Sequence, residues 1–174
     1  MTQRVLCLRR ARRQGGSDAG PCLVVGLGVG RDDDGRFGEA LPDGRVCYAV
    51  EANPDPAVLD LLASLGSCFD TASVVEIEQV LATGATPDRI SFGNTIKKER
   101  DIARAFALCI RLFAVDCEAE VEKVARAAPG SKVFCRMLCD GDGAEWPLSR
   151  KFGCYVAMAP RVLEHAQALG LTPY

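Results

Sequence analysis

From residue 45 onward, short apolar runs alternate with stretches in which apolar residues recur every three or four positions. "RVCYAV" (45–50) is followed by a turn, "NPDP" (53–56), and a helical pattern near 55–65 that carries Val58, Leu59, Leu61 and Leu62. Tyr48, Ala49 and Val50 form the buried end of the strand expected there. "SCFDTAS" (67–73) precedes "VVEIEQVLATG", in which Val75, Ile77, Val80 and Leu81 are expected to face inward. "RISFGN" (89–94) precedes "KKERDIARAFALC", where Ile102, Ala105, Phe106 and Cys109 share one face. "IRLFAVD" (110–116) precedes "EAEVEKVARAA", with Val121, Val124 and Ala128 inside, and "SKVFCRMLCD" (131–140) leads through a loop to "APRVLEHAQALG".

Strand and helix patterns that repeat about every 20–25 residues predict a parallel sheet with crossover helices, an α/β fold. Gly66, Gly84, Gly130 and Gly170 stand where helices hand over to strands, as C-cap glycines do. A closed (β/α)8 barrel needs eight such units and about 250 residues. About five are legible here, so the expectation is a partial TIM-type barrel. In such a barrel the fifth strand, "VFCRML" (133–138), is expected to be an open apolar edge, with "VCYAV" open on the other side. Edges of that kind pair with other chains, which predicts self-association.

Composition narrows the setting. The 174 residues, 48% of them hydrophobic, suffice for one core, and a net charge of −2 gives no footprint for nucleic acid. Arg9, Arg10, Arg12 and Arg13 are followed by "QGGSDAG", so 1–20 is expected to be a flexible basic segment and 21–174 the barrel portion. No run is long and apolar enough to span a bilayer and no signal-like segment precedes the fold, so a soluble, cytoplasmic protein with no membrane partner is expected. The nine cysteines contain no C-x-x-C pair and His165 is the single histidine, a poor ligand supply for zinc. Buried, reduced thiols are the expectation.

Three stretches invite chemistry. "LVVGLGVGR" (23–31) opens like a dinucleotide-binding turn, with Glu51 about twenty residues on, but its third glycine is misplaced for G-x-G-x-x-G. The acidic "DDDGRFGEALPDG" that follows is broken by Gly35 and Gly38, which favours a glycine-loosened connector. "CDGDGAEW" (139–146) alternates Asp140 and Asp142 like a calcium loop but lacks the third acid and the closing glutamate. An exposed loop carrying Trp146 and flanked by Arg150 and Lys151 is the expectation. Finally, Glu51, Asp70, Asn94, Asp116, Arg136 and Asp140 all fall at carboxyl ends of the expected strands, the face on which α/β barrels build their sites.

Read in order, "CLVV", "YAVEANPDPAVLDLLASLGSCFDTASVVEIE", "ISFGNTIKKERDIARA", "RLFAVDCEAEVEKVARAAPGSKVFCRMLCD" and "PLSRKFG" resemble the pyridoxal-phosphate-dependent ornithine/diaminopimelate/arginine decarboxylases, bacterial ornithine decarboxylases most of all. The resemblance runs from Gly20 to Tyr174. It implies a cofactor-carrying α/β barrel, with "CLVV" joining a separate β-domain, a homodimer, and conversion of L-ornithine to putrescine and CO2 in polyamine biosynthesis. The family pattern YAVK-x-N places its Schiff-base lysine where this chain has Glu51. It places Asp70 and Arg136 beside the cofactor, Glu76 at the next acidic motif position and Lys151 at the border of the site loop. The remaining cofactor-binding and substrate-specificity elements of the family correspond to sequence beyond Tyr174, so the 174 residues resemble a truncated barrel that is inactive alone. The alternatives are a non-catalytic homologue acting as a regulator or binding partner and, less well supported, a dinucleotide-binding module.

Overall fold

The computed structural model describes residues 27–40, 42–139 and 151–174. Within them the chain alternates β1 (Cys47–Ala49), α2 (Pro56–Leu65), β2 (Cys68–Thr71), α3 (Val74–Ala82), β3 (Ile90–Phe92), α4 (Glu99–Ala107), β4 (Leu112–Val115), α5 (Glu118–Ala127), β5 (Lys132–Cys135), α6 (Ala159–Ala168) and β6 (Thr172–Pro173), preceded by α1 (Leu27–Ala40). The six strands form one parallel sheet in sequence order, β1 to β6. This is the partial barrel expected, one strand longer and with β1 and β6 unpaired to each other among the described residues.

Local chemistry sets the helix ends. Asp55 caps α2, its Oδ1 accepting from the Ala57 N–H at 2.9 Å, with Pro56 at the first helical position. Gly66 and Gly84, at φ of 91° and 85°, take the left-handed conformation that the exits of α2 and α3 require. Gly130 and Gly170 do the same at 71° and 79°. Along β2 and β3 the core face carries Phe69, Ile90 and Phe92, and Phe113, Val115 and Val133 continue it; these pack on Leu59, Leu62, Ile77, Val80, Ile102, Val121 and Val124 from the helices. The opposite face of the sheet carries Ala49, Asp70, Ser91 and Ala114, small or polar residues, with Leu112 and Phe134 on its later strands.

Several expectations are corrected. The stretch 27–40 is a helix, not a connector, despite Gly28, Gly30, Gly35 and Gly38. It packs along α2 and is tied to the foot of β2 by Ser67 Oγ, which donates to Asp34 Oδ1 at 2.6 Å; tertiary contact overrides the weak helix propensity. "VFCRML" is not an open edge. Its start is paired by β6, Lys132 with Thr172 and Val133 with Pro173, and Met137 bridges to Cys154. Burial of Val162, Ala166 and Leu171 brings the end of the chain onto the sheet and supplies the extra strand. Val75 is 65% exposed because α3 turns its Ile77–Val80 face inward, and Cys109 is exposed because α4 ends at Ala107. Ala49 is exposed on the edge strand β1. The thiols are free but mostly not buried: of the seven described, Cys154 alone is. The basic segment 1–20, "CLVV" and the acidic loop from Asp140 to Arg150 lie outside the described residues.

Candidate functional site at the carboxyl ends of the strands

Because the sheet is parallel, every strand delivers its carboxyl end to the same rim. Val50, fully buried, pins the one-turn helix that follows β1 and leaves the next side chain, Glu51, exposed on that rim. Register then places Asp70 of β2 between Ala49 and Ser91. Ser91 Oγ donates to Asp70 Oδ1 at 2.6 Å. Gly93 completes the niche: a Cβ there would lie 2.1 Å from Asp70 Oδ1 and 2.4 Å from Oδ2, so the carboxylate occupies space only a glycine leaves free.

Electrostatics join these residues. Burial raises the Asp70 pKa above its ordinary value; the Ser91 hydrogen bond opposes this, the Glu51 carboxylate adds to it, and the Arg136 guanidinium opposes it. Arg136 follows β5, held by its N–H to the Val115 carbonyl at 2.8 Å, and its guanidinium carbon lies 5.6 Å from the centre of the Phe152 ring. The exposed Lys151 sets its Nζ 5.9 Å from the same ring. Glu51, Asp70 and Arg136 thus share one rim, with Lys151 on the segment that flanks Arg136. Glu76 is tied to the start of α3. Its Oε2 accepts from the Ala72 N–H at 2.7 Å while Ser73 Oγ accepts from the Glu76 N–H at 3.3 Å, a variant of the capping box, shifted by one residue, that starts α3.

Sequence reasoning missed Ser91, Gly93, and a buried ion pair under the rim. Lys97 Nζ donates to the carbonyls of Asn94 (2.8 Å) and Ala114 (2.5 Å) and lies 3.0 Å from Glu120 Oε1, with its side chain fully buried. Glu120 also accepts the Lys97 backbone N–H at 3.1 Å and pairs with Lys123. In sequence Lys97 opens the charged run "KKERD", in which nothing local marks one lysine as buried. The S-x-x-E spacing at 73–76 was the one available signal for the role of Glu76.

A parallel α/β sheet with its polar residues gathered at one rim defines the class. The family model described as "Pyridoxal-dependent decarboxylase, pyridoxal binding domain" matches residues 33–172, and the chain belongs to that family. The chloroplastic ornithine decarboxylase of Nicotiana glauca is 40% identical over 153 residues, covering 87% of this chain and 35% of that protein. Antizyme inhibitor 2 of Xenopus laevis is 36% identical over 136 residues, 78% of this chain and 30% of that one. The crystal structure of lysine decarboxylase from Selenomonas ruminantium superposes with a TM-score of 0.77 at 35% identity, covering 83% of this chain and 38% of that chain. The chain therefore spans about a third of the length of these relatives.

Pyridoxal phosphate is the cofactor of the family, and solved relatives of this fold hold it. An aldehyde is anchored covalently by an amine. The rim offers a carboxylate at 51, a second negative charge near Asp70 and not an amine. The Lys97 amine is buried and committed to two carbonyls and Glu120, and the Lys151 amine stands exposed near Phe152. The described residues do not fit a covalently anchored aldehyde.

Proposed function

We propose that this chain is the N-terminal barrel portion of a basic amino acid decarboxylase, the parent reaction being L-ornithine to putrescine and CO2 in polyamine biosynthesis, and that these residues alone do not carry out that reaction. The family match and the relatives that are ornithine and lysine decarboxylases support the lineage. The observation that carries the inactivity is Glu51, a carboxylate exposed on the rim directly after the buried Val50, at the position where the resemblance puts the anchoring lysine. A diamino acid as substrate of the whole enzyme, a homodimer and a cytoplasmic setting belong to the same reading.

The test is direct. The purified chain, incubated with pyridoxal phosphate and reduced with borohydride, is expected to show no specific phosphopyridoxyl adduct by mass spectrometry. A stoichiometric adduct at Lys151 would overturn the claim. Glu51→Lys is expected to restore no release of putrescine above that given by the free cofactor, since an amine alone supplies none of the electrostatic preorganisation on which such catalysis depends.

A second reading has one observation in its favour. The relatives include an antizyme inhibitor as well as enzymes, so a non-catalytic homologue that binds a partner of the decarboxylases fits the same sequence. Capture of a full-length ornithine decarboxylase or an antizyme by the immobilised chain would favour it over the first reading. The dinucleotide module is not carried further, because Gly28 and Gly30 lie inside α1 and not in a turn before it.

A further inference from the structure

On the helix-facing side of the sheet, away from the rim residues, two thiols meet. Cys135 ends β5 and packs against the core cluster; Cys154 lies on the returning segment, 19 positions later, and its sulfur is 3.5 Å from that of Cys135. Side chains alternate along a strand, so Cys135 faces the core side while its neighbour Arg136 faces the opposite side.

The backbone holds this meeting in place from both ends. The Cys154 N–H donates to the Arg136 carbonyl at 3.0 Å, and the Leu138 N–H donates to the Cys154 carbonyl at 2.8 Å. Gly153 takes φ of 111°, and a Cβ there would lie 2.9 Å from the Met137 carbonyl carbon, so the segment lies flat against the strand. The Gly153 N–H is further tied to Asp116 Oδ2 at 3.1 Å. Two sulfurs in contact need to close by only about 1.5 Å to reach disulfide bonding distance, a movement that side-chain rotation supplies.

We propose that Cys135 and Cys154 form a reversible disulfide by exchange with a low-molecular-weight disulfide such as oxidised glutathione. Cys135, the more exposed of the two, loses its proton to solvent and attacks one sulfur of the reagent, releasing one thiolate and leaving a mixed disulfide. The deprotonated Cys154 sulfur then attacks the Cys135 sulfur and releases the second thiolate. The two protons lost from the protein end on the two small thiols, so one protein dithiol and one disulfide become one protein disulfide and two thiols. The bond crosslinks the arginine-bearing end of β5 to the segment that carries Lys151 and Phe152. It is independent of any cofactor chemistry at the rim.

The environment sets the rate. Burial, the hydrogen bond with Cys154, the neighbouring sulfur and Asp116 together push the Cys135 thiol up to about 12. Only the thiolate attacks, so the exchange is expected to be slow at neutral pH and to quicken about a hundredfold between pH 7 and 9.

The experiment incubates the reduced chain with excess oxidised glutathione across that pH range, quenches with an alkylating agent and maps cysteines by non-reducing peptide mass spectrometry. The expected product is a single crosslinked pair, Cys135 with Cys154, two hydrogens lighter than the reduced pair, reversed by dithiothreitol and much reduced in yield in denaturant. Cys154→Ser is expected to leave Cys135 trapped as the glutathione mixed disulfide. Recovery of both residues separately as mixed disulfides or alkylated thiols overturns the proposal. So does a link to the exposed Cys139, or equal yield in denaturant.

Discussion

Removing the carboxylate of Glu120 tests the ion pair beneath the rim. Lys97 is enclosed, with its ammonium 3.0 Å from Glu120 Oε1 and two carbonyls as its other partners. Glu120 is itself only 3% exposed. Glu120→Ala leaves that ammonium buried without a counter-charge and frees the Lys97 backbone N–H. Breaking one side of a buried pair costs about 3–5 kcal/mol, a large part of the roughly 5–15 kcal/mol by which domains are stable. For a chain of this size that lowers the melting temperature by on the order of 10 °C. The assay is urea and thermal unfolding followed by circular dichroism at pH 7.

The pH dependence sharpens the test. Burial lowers the Lys97 pKa from its ordinary 10.5, and Glu120 opposes that shift. Just below 10.5 the unfolded chain therefore holds its lysine proton more firmly than the folded one, and stability from this group rises with pH across that window. Without Glu120 the folded pKa falls further, so the window widens and the deficit of the variant shrinks between pH 7 and 10 as Lys97 becomes neutral. Substituting both partners, Lys97→Met with Glu120→Leu, is expected to cost less than Glu120→Ala alone. A Glu120→Ala variant within about 1 kcal/mol of the parent, or a deficit that does not change with pH, would show that the ammonium reaches water and refute the reasoning.

Asp70→Asn is expected to stabilise the chain at neutral pH, because a carboxyl whose folded pKa is raised contributes stability at low pH that is lost as pH rises through that value; the gain should vanish near the ordinary 3.8 and be read by urea unfolding at pH 3.5 and 7. Gly93→Ala drives a methyl into the Asp70 carboxylate and is expected to cost about 1–3 kcal/mol. Combining it with Asp70→Ala should recover most of that in a double-mutant cycle. The edges of β1 and β6, unpaired among the described residues, and the exposed Cys47 and Ala49 on β1 are expected to make the isolated chain self-associate. Size-exclusion chromatography with light scattering is the check, and a sharp monomer peak with cooperative melting would count against it.

The periodicities made the first five strands, their helices and the glycine caps legible, since a parallel sheet writes its core face as a short apolar run and its helices as a 3.6 repeat. The first helix was hidden because its four glycines oppose helix formation locally, while its position along α2 and the Ser67–Asp34 hydrogen bond are long-range contacts. The two-residue β6 was hidden because "LTPY" carries no run at all and is placed by Leu171 burying beneath it. At the rim, Glu51, Asp70 and Arg136 were found through the resemblance and through their strand-end positions. Ser91 and Gly93 were not, because their roles come from register with Asp70, a pairing between strands that no local pattern records. Lys97 was not singled out because nothing in a run of charges tells which one is buried, and here the turn before α4 folds one of its lysines inward.

The contrast between Glu51 and its neighbours explains how the rim can lack an anchoring amine in a fold that is otherwise intact. Val50 supplies the burial that fixes the turn after β1, and Glu51 is exposed, so either an amine or a carboxylate at 51 leaves the packing unchanged. Asp70 has no such freedom. Its side chain fills the space left by Gly93 and accepts the Ser91 hydroxyl, so only a replacement of the same shape with an acceptor oxygen, such as asparagine, leaves the two strands undisturbed. Arg136 is intermediate, its backbone fixed to Val115 and its guanidinium near Phe152. Both size and charge at 51 are therefore separable from folding, whereas at 70 only the charge is. That is why a Glu51→Lys chain should fold as the parent does, with a lowered Asp70 pKa because a cation replaces the charge that now raises it. Carboxyl-carbon NMR titration of Asp70 in the two chains reads that difference, and an unchanged midpoint would mean that Glu51 and Asp70 do not sense each other.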